Sequence, residues 1–221
     1  MKDPIVIESA PQPDAAVVLL HGLGADGHDF APIVNELRLP ESCRVRFVLP
    51  HAPVQPVTIN GGVAMPAWFD ILGVDRHAQQ DEAGIRKSSA YLDELVDAQM
   101  AAGITPERIV MAGFSQGGAI ALFTALRRST PLAGVIGLST YLPLQPQVVA
   151  EHAGLQSSLP VLLVHGTHDP VLPLALAEDA CEFISALGYS VQYQTYPMAH
   201  QVCMEEITLL RAWLLSQLGE S

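Results

Sequence analysis

The chain of 221 residues is 49% hydrophobic and 15% charged, and it contains 17 glycines and 17 prolines. This composition can bury a sizeable core and excludes a disordered or collagen-like chain. Eleven basic residues stand against 23 acidic ones, which gives a formal charge of −12. So acidic a protein repels phosphate groups, and we therefore expect no nucleic acid partner.

Short apolar runs alternate with amphipathic stretches along the chain. The first run, Ala16–Leu20, is followed by helical spacing of apolar residues from Phe30 to Leu37. Further strands are predicted at Arg44–Leu49, Arg108–Ala112, Ala133–Leu138, Val161–Val164 and Val191–Thr195, and further helices at Gln79–Ala102, Gln116–Arg127, Leu174–Leu187 and Cys203–Leu218. Apolar strands between helices are typical of a mostly parallel sheet with helices on both faces. We predict an α/β fold in which residues 1–221 form a single domain.

The stretch from Pro50 to His77 breaks this alternation. It carries four prolines and the pair Gly61-Gly62, yet it is rich in apolar residues. It is therefore too broken for a long helix and too apolar for a solvated linker. Because long ordered loops in compact domains are often functional, we expect it to lie near the site, although packing against the core alone would also explain it.

Cysteine usage and the N-terminal residues bear on location. Cys43, Cys181 and Cys203 are widely spaced and odd in number, which favours free thiols in a reducing compartment. The N-terminal residues Met1–Glu8 include an acid and a proline where a secretory signal is apolar, and no apolar run approaches the roughly 18 residues of a membrane span. We expect a cytoplasmic protein without stable membrane insertion.

The segment Gly113–Gly117 has the pattern G-x-S-x-G, with Ser115 at its centre. A predicted strand runs into it and a predicted helix runs out of it. This strand–turn–helix context is typical of the nucleophile elbow of α/β-hydrolases, in which the serine hydroxyl stands above the edge of the sheet. Ser115 is therefore the candidate nucleophile.

A serine nucleophile needs a base and an acid, which in α/β-hydrolases follow it in the order acid, then histidine. Asp169 comes just after a predicted strand, whereas Glu178, Asp179 and Glu182 fall on a predicted helix. Only His200 follows Asp169 in a loop before the last helix. The alternative that His165, His168 and Asp169 bind a metal lacks further ligands in the sequence, so no metal is predicted.

The oxyanion that forms during acyl transfer needs backbone N–H donors. The residue after the nucleophile, Gln116, supplies one in this fold, and an early strand-to-helix loop supplies the other. The glycine-rich turn His21–Gly24 directly follows the first strand and can present the N–H of Leu23.

Several segments together carry a family resemblance: His21–Asp26, Pro53–Gly62, Trp68–Asp70, Gly113–Gly118, His165–Asp169 and Met198–His200. Over roughly residues 15–216 the chain resembles bacterial carboxylesterases of the acyl-protein thioesterase and lysophospholipase type. The resemblance implies an α/β-hydrolase fold with a minimal cap, no cofactor, small-molecule or lipid ester or thioester substrates and, in many members, homodimers. His51 and Gln201 depart from the family pattern, which concerns substrate preference.

The same resemblance assigns roles to residues. It implies Ser115 as nucleophile, His200 as base and Asp169 as the orienting acid, with the amides of Leu23 and Gln116 as oxyanion donors. It also implies that residues 50–72 form part of an acyl-binding flap. We expect substrate contacts from four apolar side chains in or near this region: Met65, Trp68, Leu72 and Val171.

These residues predict a serine carboxylesterase that works through an acyl-enzyme and acts on short to medium acyl chains. Acyl-protein thioesterase, that is depalmitoylase, and lysophospholipase activities share the motifs. The same triad can also serve acyl transfer or perhydrolysis. A catalytically silent α/β-hydrolase that acts as a binding module is the alternative from another class, although such proteins usually lack a triad member.

Overall fold

A single large sheet organises the molecule. The computed structural model describes residues 2–73, 79–152 and 159–219. The strands of these residues are β1 Ile5–Glu8, β2 Ala15–Leu20, β3 Val45–Leu49, β4 Val54–Val57, β5 Val63–Pro66, β6 Ile109–Phe114, β7 Gly134–Leu138, β8 Val161–Gly166 and β9 Val191–Tyr196. Within the described residues, seven of them form one sheet in the order β1-β3-β2-β6-β7-β8-β9. Only the edge strand β1 is antiparallel to its neighbour, so the predicted, mostly parallel sheet is confirmed.

Helices cover both faces of this sheet, as predicted. They are α1 Ala31–Glu36, α2 Glu82–Ala101, α3 Gln116–Ala125, α4 Gln145–Glu151, α5 Leu174–Ala186 and α6 Met204–Leu218. Successive side chains of a strand point to opposite faces. Val18 of β2 accordingly packs in the apolar cluster that includes residues of α2, α3 and α5, whereas its neighbour Val17 packs with residues of α1 and α6. All six residues of β2 are buried, which explains its unbroken apolar sequence.

The predicted elements differ from the observed ones mainly at their ends. Helix α2 begins at Glu82 and not at Gln79, because Asp81 caps it by accepting a hydrogen bond from the Gly84 amide at 2.9 Å. Besides the two hairpin strands β4 and β5, one strand of the large sheet and one helix were not predicted. Strand β1 has four residues, two of them exposed, and α4 has seven, so neither shows a long periodic pattern.

The apolar stretch after β3 contains a two-stranded hairpin. Strands β4 and β5 pair antiparallel through a turn that ends in Gly61 and Gly62, both with left-handed backbone (φ +68° and +78°). Asp70 fixes this turn by accepting hydrogen bonds from the N–H of Thr58 at 2.7 Å and from its hydroxyl at 2.6 Å. The predicted order of the loop is thus confirmed for residues 50–73, and the remainder up to His77 lies outside the described residues.

Two sequence-based expectations concern free thiols and the lack of a membrane span. Cys43, Cys181 and Cys203 are all free thiols. None of the helices in the described residues has the length and apolar character of a membrane span.

Candidate active site

Ser115 lies at the predicted corner between β6 and α3. Its φ of +54° is in the left-handed region, which non-glycine residues rarely adopt and which costs conformational energy. The surroundings hold this conformation in place. The Ser115 N–H donates to the carbonyl of Leu138 at 2.8 Å, and the hydroxyl of Thr140 donates to the Ser115 carbonyl at 2.7 Å.

The two glycines of the motif allow the corner to close. A Cβ on Gly117 would lie 2.6 Å from the His21 carbonyl oxygen, and one on Gly113 would lie 2.5 Å from the Gly118 nitrogen. Both distances are shorter than any real Cβ contact, so only glycine fits. The close approach at Gly117 also seats the start of α3 against the end of β2, where the predicted oxyanion loop begins.

Asp169 and His200 meet beside this corner. His200 Nδ1 lies 2.7 Å from Asp169 Oδ2, while Asp169 Oδ1 accepts the backbone N–H groups of Val171 at 2.8 Å and Leu172 at 2.9 Å. A carboxylate only accepts hydrogen bonds, so the proton of the neutral imidazole is on Nδ1 and Nε2 is left as an acceptor. This is the tautomer that a general base requires.

The charge of Asp169 follows from its contacts. Its side chain is fully buried, which opposes ionisation. The hydrogen bonds from the His200 imidazole and the two amides outweigh this burial and lower the pKa of the carboxyl below its usual value. Asp169 is therefore an anion that orients His200 and can stabilise the imidazolium that forms when His200 takes a proton.

The His200 ring packs against the residue that precedes Ser115. The ring centroids of His200 and Phe114 are 4.8 Å apart. His200 is in the loop between β9 and α6, and Asp169 is in the loop after β8, so both follow the carboxyl ends of parallel strands. Ligand sites of open α/β sheets lie at this edge.

The predicted oxyanion donors also lie at this corner. Gln116 is the first residue of α3, so its N–H has no acceptor within the helix. A Cβ on Gly22 would lie 3.4 Å from the Cβ of Ser115, which places the loop of Leu23 against the elbow. Hydrogen bonding from the Gly24 amide to the Pro66 carbonyl at 2.8 Å ties this loop to β5.

His21 has a structural position beneath this loop. Its Nε2 accepts the Ala52 amide at 3.0 Å, and its Nδ1 lies 2.7 Å from the Gly22 carbonyl, so the ring is neutral with its proton on Nδ1. Burial lowers the pKa of this imidazole, in agreement with that tautomer. His21 thus connects the oxyanion loop to the chain after β3.

Trp68, one of the expected substrate contacts, lies in the core. It is only 2% exposed and packs in the core, so its ring is closed to a substrate in this structure. Its indole N–H donates to the His21 carbonyl at 2.9 Å, and its ring lies 5.1 Å from the His21 ring, centroid to centroid. The substrate contact expected of Trp68 stays a prediction, and in this structure the side chain holds the residues after the hairpin against the oxyanion loop.

The other expected substrate contacts are accessible. Leu72 and Val171 are 39% and 52% exposed, and Val171 donates its amide to Asp169. Met65 is partly buried, and its sulfur would lie 3.9 Å from a Cβ on Gly24 in the oxyanion loop. Met65 thus lies beside the oxyanion loop and Val171 beside Asp169, and the substrate contacts expected of these two residues and of Leu72 stay predictions.

The remaining acids and histidines near the site have other partners. Glu151 pairs with Arg86 and Arg127 at 2.6 Å each, and hydrogen bonds from these guanidinium groups lower its pKa to about 2. His165 is fully buried, and its Nε2 lies 2.9 Å from the Leu172 carbonyl. The Nε2–H therefore donates to this carbonyl and supports the acid loop, which is the loop of Asp169 between β8 and α5. The His168 side chain is exposed.

One functional side chain was not predicted from the sequence. The amide of Gln116 accepts the Trp68 N–H at 2.8 Å and donates to the Phe69 carbonyl at 2.7 Å. The Gln116 side chain thus forms hydrogen bonds with two buried backbone groups of the segment that follows the hairpin, as a neighbouring strand would. The G-x-S-x-G pattern leaves this position open, so only the three-dimensional contact reveals its role.

A serine at a strand–helix elbow, on a mostly parallel sheet with an Asp–His pair at the same edge, defines a serine hydrolase of the α/β-hydrolase class. Comparison with known proteins gives the family. The model of the phospholipase/carboxylesterase family matches residues 1–216, and the chain belongs to this family.

Individual relatives cover nearly the whole chain. The chain is 37% identical to acyl-protein thioesterase 1 of Neurospora crassa, covering 98% of this chain and 92% of that protein. It is 38% identical to acyl-protein thioesterase 1 of Gibberella zeae, with 97% and 95% covered. The crystal structure of acyl-protein thioesterase 2 of Zea mays superposes with a TM-score of 0.86 at 27% identity, covering 97% of this chain and 99% of that one. The predicted family is confirmed, whereas its bacterial qualifier is not supported, because these sequence relatives are fungal.

Proposed function

We propose that this protein is a serine carboxylesterase that hydrolyses carboxylic esters, with short to medium acyl chains, through an acyl-enzyme at Ser115. The observation that carries the proposal is the Asp169–His200 pair, at 2.7 Å, beside the strained Ser115 elbow. We further propose that residues 1–221 act as one domain in the cytoplasm, a location supported by three free thiols.

The proposed reaction proceeds in two steps. His200 Nε2 takes the proton of the Ser115 hydroxyl while its oxygen attacks the substrate carbonyl, and the amides of Leu23 and Gln116 stabilise the oxyanion. The protonated His200 then gives its proton to the leaving alcohol or thiol as the acyl-enzyme forms. Water, deprotonated by His200, attacks the acyl-enzyme, the bond between the acyl carbon and the Ser115 oxygen breaks, and the acid leaves while His200 returns the proton to the Ser115 oxygen. The Asp169 carboxylate remains charged and stabilises the imidazolium in both steps.

The proposed acyl-binding surface lies between the hairpin and the acid loop. Leu72 and Val171 expose apolar area, and Met65 lies beside the oxyanion loop. Burial of this area against an acyl chain stabilises the complex by about 0.8 kcal/mol for each buried methylene.

A second candidate activity is thioester hydrolysis on acylated proteins. The names of the Neurospora and Gibberella relatives, at 37% and 38% identity, favour it. The same triad and oxyanion donors serve an ester or a thioester, since both pass through a tetrahedral oxyanion. The two activities therefore differ in the acyl chain and the leaving group, not in the catalytic residues.

The deciding experiment measures kcat/KM for p-nitrophenyl esters of two to sixteen carbons and for a palmitoyl-thioester peptide. An optimum at short chains supports the carboxylesterase, whereas preference for the palmitoyl thioester supports the second candidate. Ser115→Ala should lower kcat by about 10⁴- to 10⁶-fold on every substrate. Activity that survives in Ser115→Ala contradicts both.

Two further variants separate catalysis from folding. His200→Ala should lose activity to a similar extent. His168→Ala, which changes the exposed side chain just before Asp169, should keep the wild-type activity. A fluorophosphonate probe should label the wild-type protein and not Ser115→Ala. A folded wild-type protein that resists the probe would support a silent binding module instead.

A further inference from the structure

Three metal-ligating side chains meet at the carboxyl edge of the sheet, next to the oxyanion loop. Asp26 and His28 belong to the loop after β2, and His51 follows β3 by two residues. Strands β2 and β3 are parallel neighbours, so the segments that follow them lie side by side. One ligand atom from each of the three residues lies within 4.8 Å of the others. The proposed esterase mechanism uses none of these side chains.

The contacts within this group fix its shape. Asp26 Oδ1 accepts the backbone N–H of His28 at 2.7 Å and lies 2.9 Å from His28 Nδ1. The rings of His28 and His51 are 5.5 Å apart, centroid to centroid. The Gly27 N–H donates to His51 Nδ1 at 3.3 Å, a long hydrogen bond that holds the His51 ring toward the loop of Asp26 and His28.

The chemistry of these groups selects among cations. Asp26 offers a carboxylate oxygen, and His28 and His51 each offer an imidazole nitrogen. Two imidazoles and one carboxylate suit zinc and similar transition metals, whereas Mg²⁺ and Ca²⁺ prefer all-oxygen sites. The side chains of His28 and Asp26 are 73% and 49% exposed, which leaves a path from solvent.

We propose that Asp26, His28 and His51 form a binding site for one divalent ion of the zinc type, with water completing the coordination. Ligand atoms bound at about 2.0–2.2 Å in a tetrahedral site are about 3.4 Å apart. The group must therefore contract by roughly 1 Å or more at its widest pair. Rotation of the exposed His28 side chain can supply this movement without a change in the core.

The ion would join two segments that hold the oxyanion loop. Ala52, the neighbour of His51, donates its amide to His21, and His21 precedes the loop of Leu23. A bound ion would link Asp26 and His28, which follow the loop of Leu23, to this segment and so restrain the loop. This inference does not depend on the proposed esterase activity, because its ligands take no part in the triad.

The test is equilibrium dialysis of the full chain against zinc chloride, with metal analysis, and titration with Co²⁺ followed by visible absorption. We expect one ion per chain, a Co²⁺ spectrum of nitrogen and oxygen ligands, and no uptake of Mg²⁺ under the same conditions. His28→Ala and His51→Ala should each weaken zinc binding by about tenfold or more. His152→Ala is the matched control for zinc binding by surface histidines, and it should bind like wild type.

Thermal unfolding with and without zinc separates binding from folding. Zinc should raise the Tm of the wild-type protein more than that of His28→Ala at the same zinc concentration, since a ligand that binds the folded state more tightly stabilises it more. The exposed position of His28 makes this variant safe for folding, which its Tm without metal verifies. Failure of the wild-type protein to take up one zinc, or an affinity for zinc in His28→Ala and His51→Ala equal to that of the wild-type protein, would overturn the proposal.

Discussion

The replacement of Asp169 by asparagine tests the proposed mechanism most directly, because the structure fixes the orientation of the new side chain. Asp169 Oδ1 accepts the amides of Val171 and Leu172 at 2.8 and 2.9 Å. In Asp169→Asn the carbonyl oxygen must keep this place, since the NH₂ group cannot face two N–H donors. The NH₂ group therefore takes the place of Oδ2, 2.7 Å from His200 Nδ1.

This arrangement reverses the tautomer of His200. An NH₂ group donates to Nδ1, so the neutral imidazole carries its proton on Nε2 and has no lone pair for the Ser115 hydroxyl. The corresponding change in another serine hydrolase lowers kcat by about 10⁴-fold, and we expect a similar loss here, equivalent to about 5.4 kcal/mol of transition-state stabilisation. The geometry of the loop should be retained, because both backbone hydrogen bonds survive.

The assay is kcat/KM with a p-nitrophenyl ester at neutral pH, together with circular dichroism to verify the fold. Glu178→Gln provides the control, since this acid is exposed on α5 and should lose less than twofold. A folded Asp169→Asn variant that retains more than a tenth of wild-type kcat/KM would refute the assignment of Asp169 as the orienting acid. A loss of equal size in Glu178→Gln would show that the effect is not specific.

Three further predictions, checked with four variants, concern the supporting structure. Gln116→Ala leaves two buried backbone groups of the hairpin segment unpaired, so urea denaturation should show a loss of roughly 2–4 kcal/mol; a loss below 0.5 kcal/mol would contradict this role. Burial raises the pKa of Glu206 to about 8, although the Cys203 backbone acts in the opposite direction. Because the folded protein holds this proton more tightly than the unfolded chain, the free energy of unfolding should fall by on the order of 2 kcal/mol as the pH rises from 6 to 8.5. Glu206→Gln should abolish that fall. A variant with the wild-type pH dependence would exclude Glu206 as its source. Gly117→Ala forces a Cβ to within 2.6 Å of the His21 carbonyl and should abolish activity and lower the Tm, whereas Gly61→Ala, with nothing within 4 Å, should cost only about 1 kcal/mol from its left-handed φ; a fully active Gly117→Ala would contradict the account of the elbow.

The strands and long helices could be predicted because their burial requires apolar residues in continuous runs or at helical spacing. Strand β6 is buried along five of its six residues and reads as an apolar run, and the first predicted strand differs from β2 by one residue. The hairpin strands show no such apolar pattern. Val54 and Val63 are exposed, and prolines lie in both strands, so neither alternation nor a continuous apolar run identifies it.

The site divides in the same way. Ser115 could be predicted from the elbow pattern, and Asp169 and His200 from their order after it, because this chemistry fixes residue types at strand ends. The contacts of Gln116 and His21 could not be predicted, because their partners lie in the irregular segment, at sequence separations of 31–48 residues. The Asp26, His28 and His51 group likewise depends on two segments that the sheet brings together, and a sequence motif does not connect them.

The buried position of Trp68 has a consequence for how the hairpin affects catalysis. Its indole N–H binds the His21 carbonyl, and its backbone N–H binds the Gln116 side chain. The segment that follows the hairpin is therefore tied to Gln116, which is one proposed oxyanion donor, and to His21, which lies two residues before the other. Movement of the hairpin when an acyl chain binds would reach Leu23 through His21 and the start of α3 through Gln116. Replacement of hairpin residues should therefore change kcat as well as KM, even where the side chain does not touch the substrate, because the oxyanion donors and the acyl-binding surface share one set of hydrogen bonds.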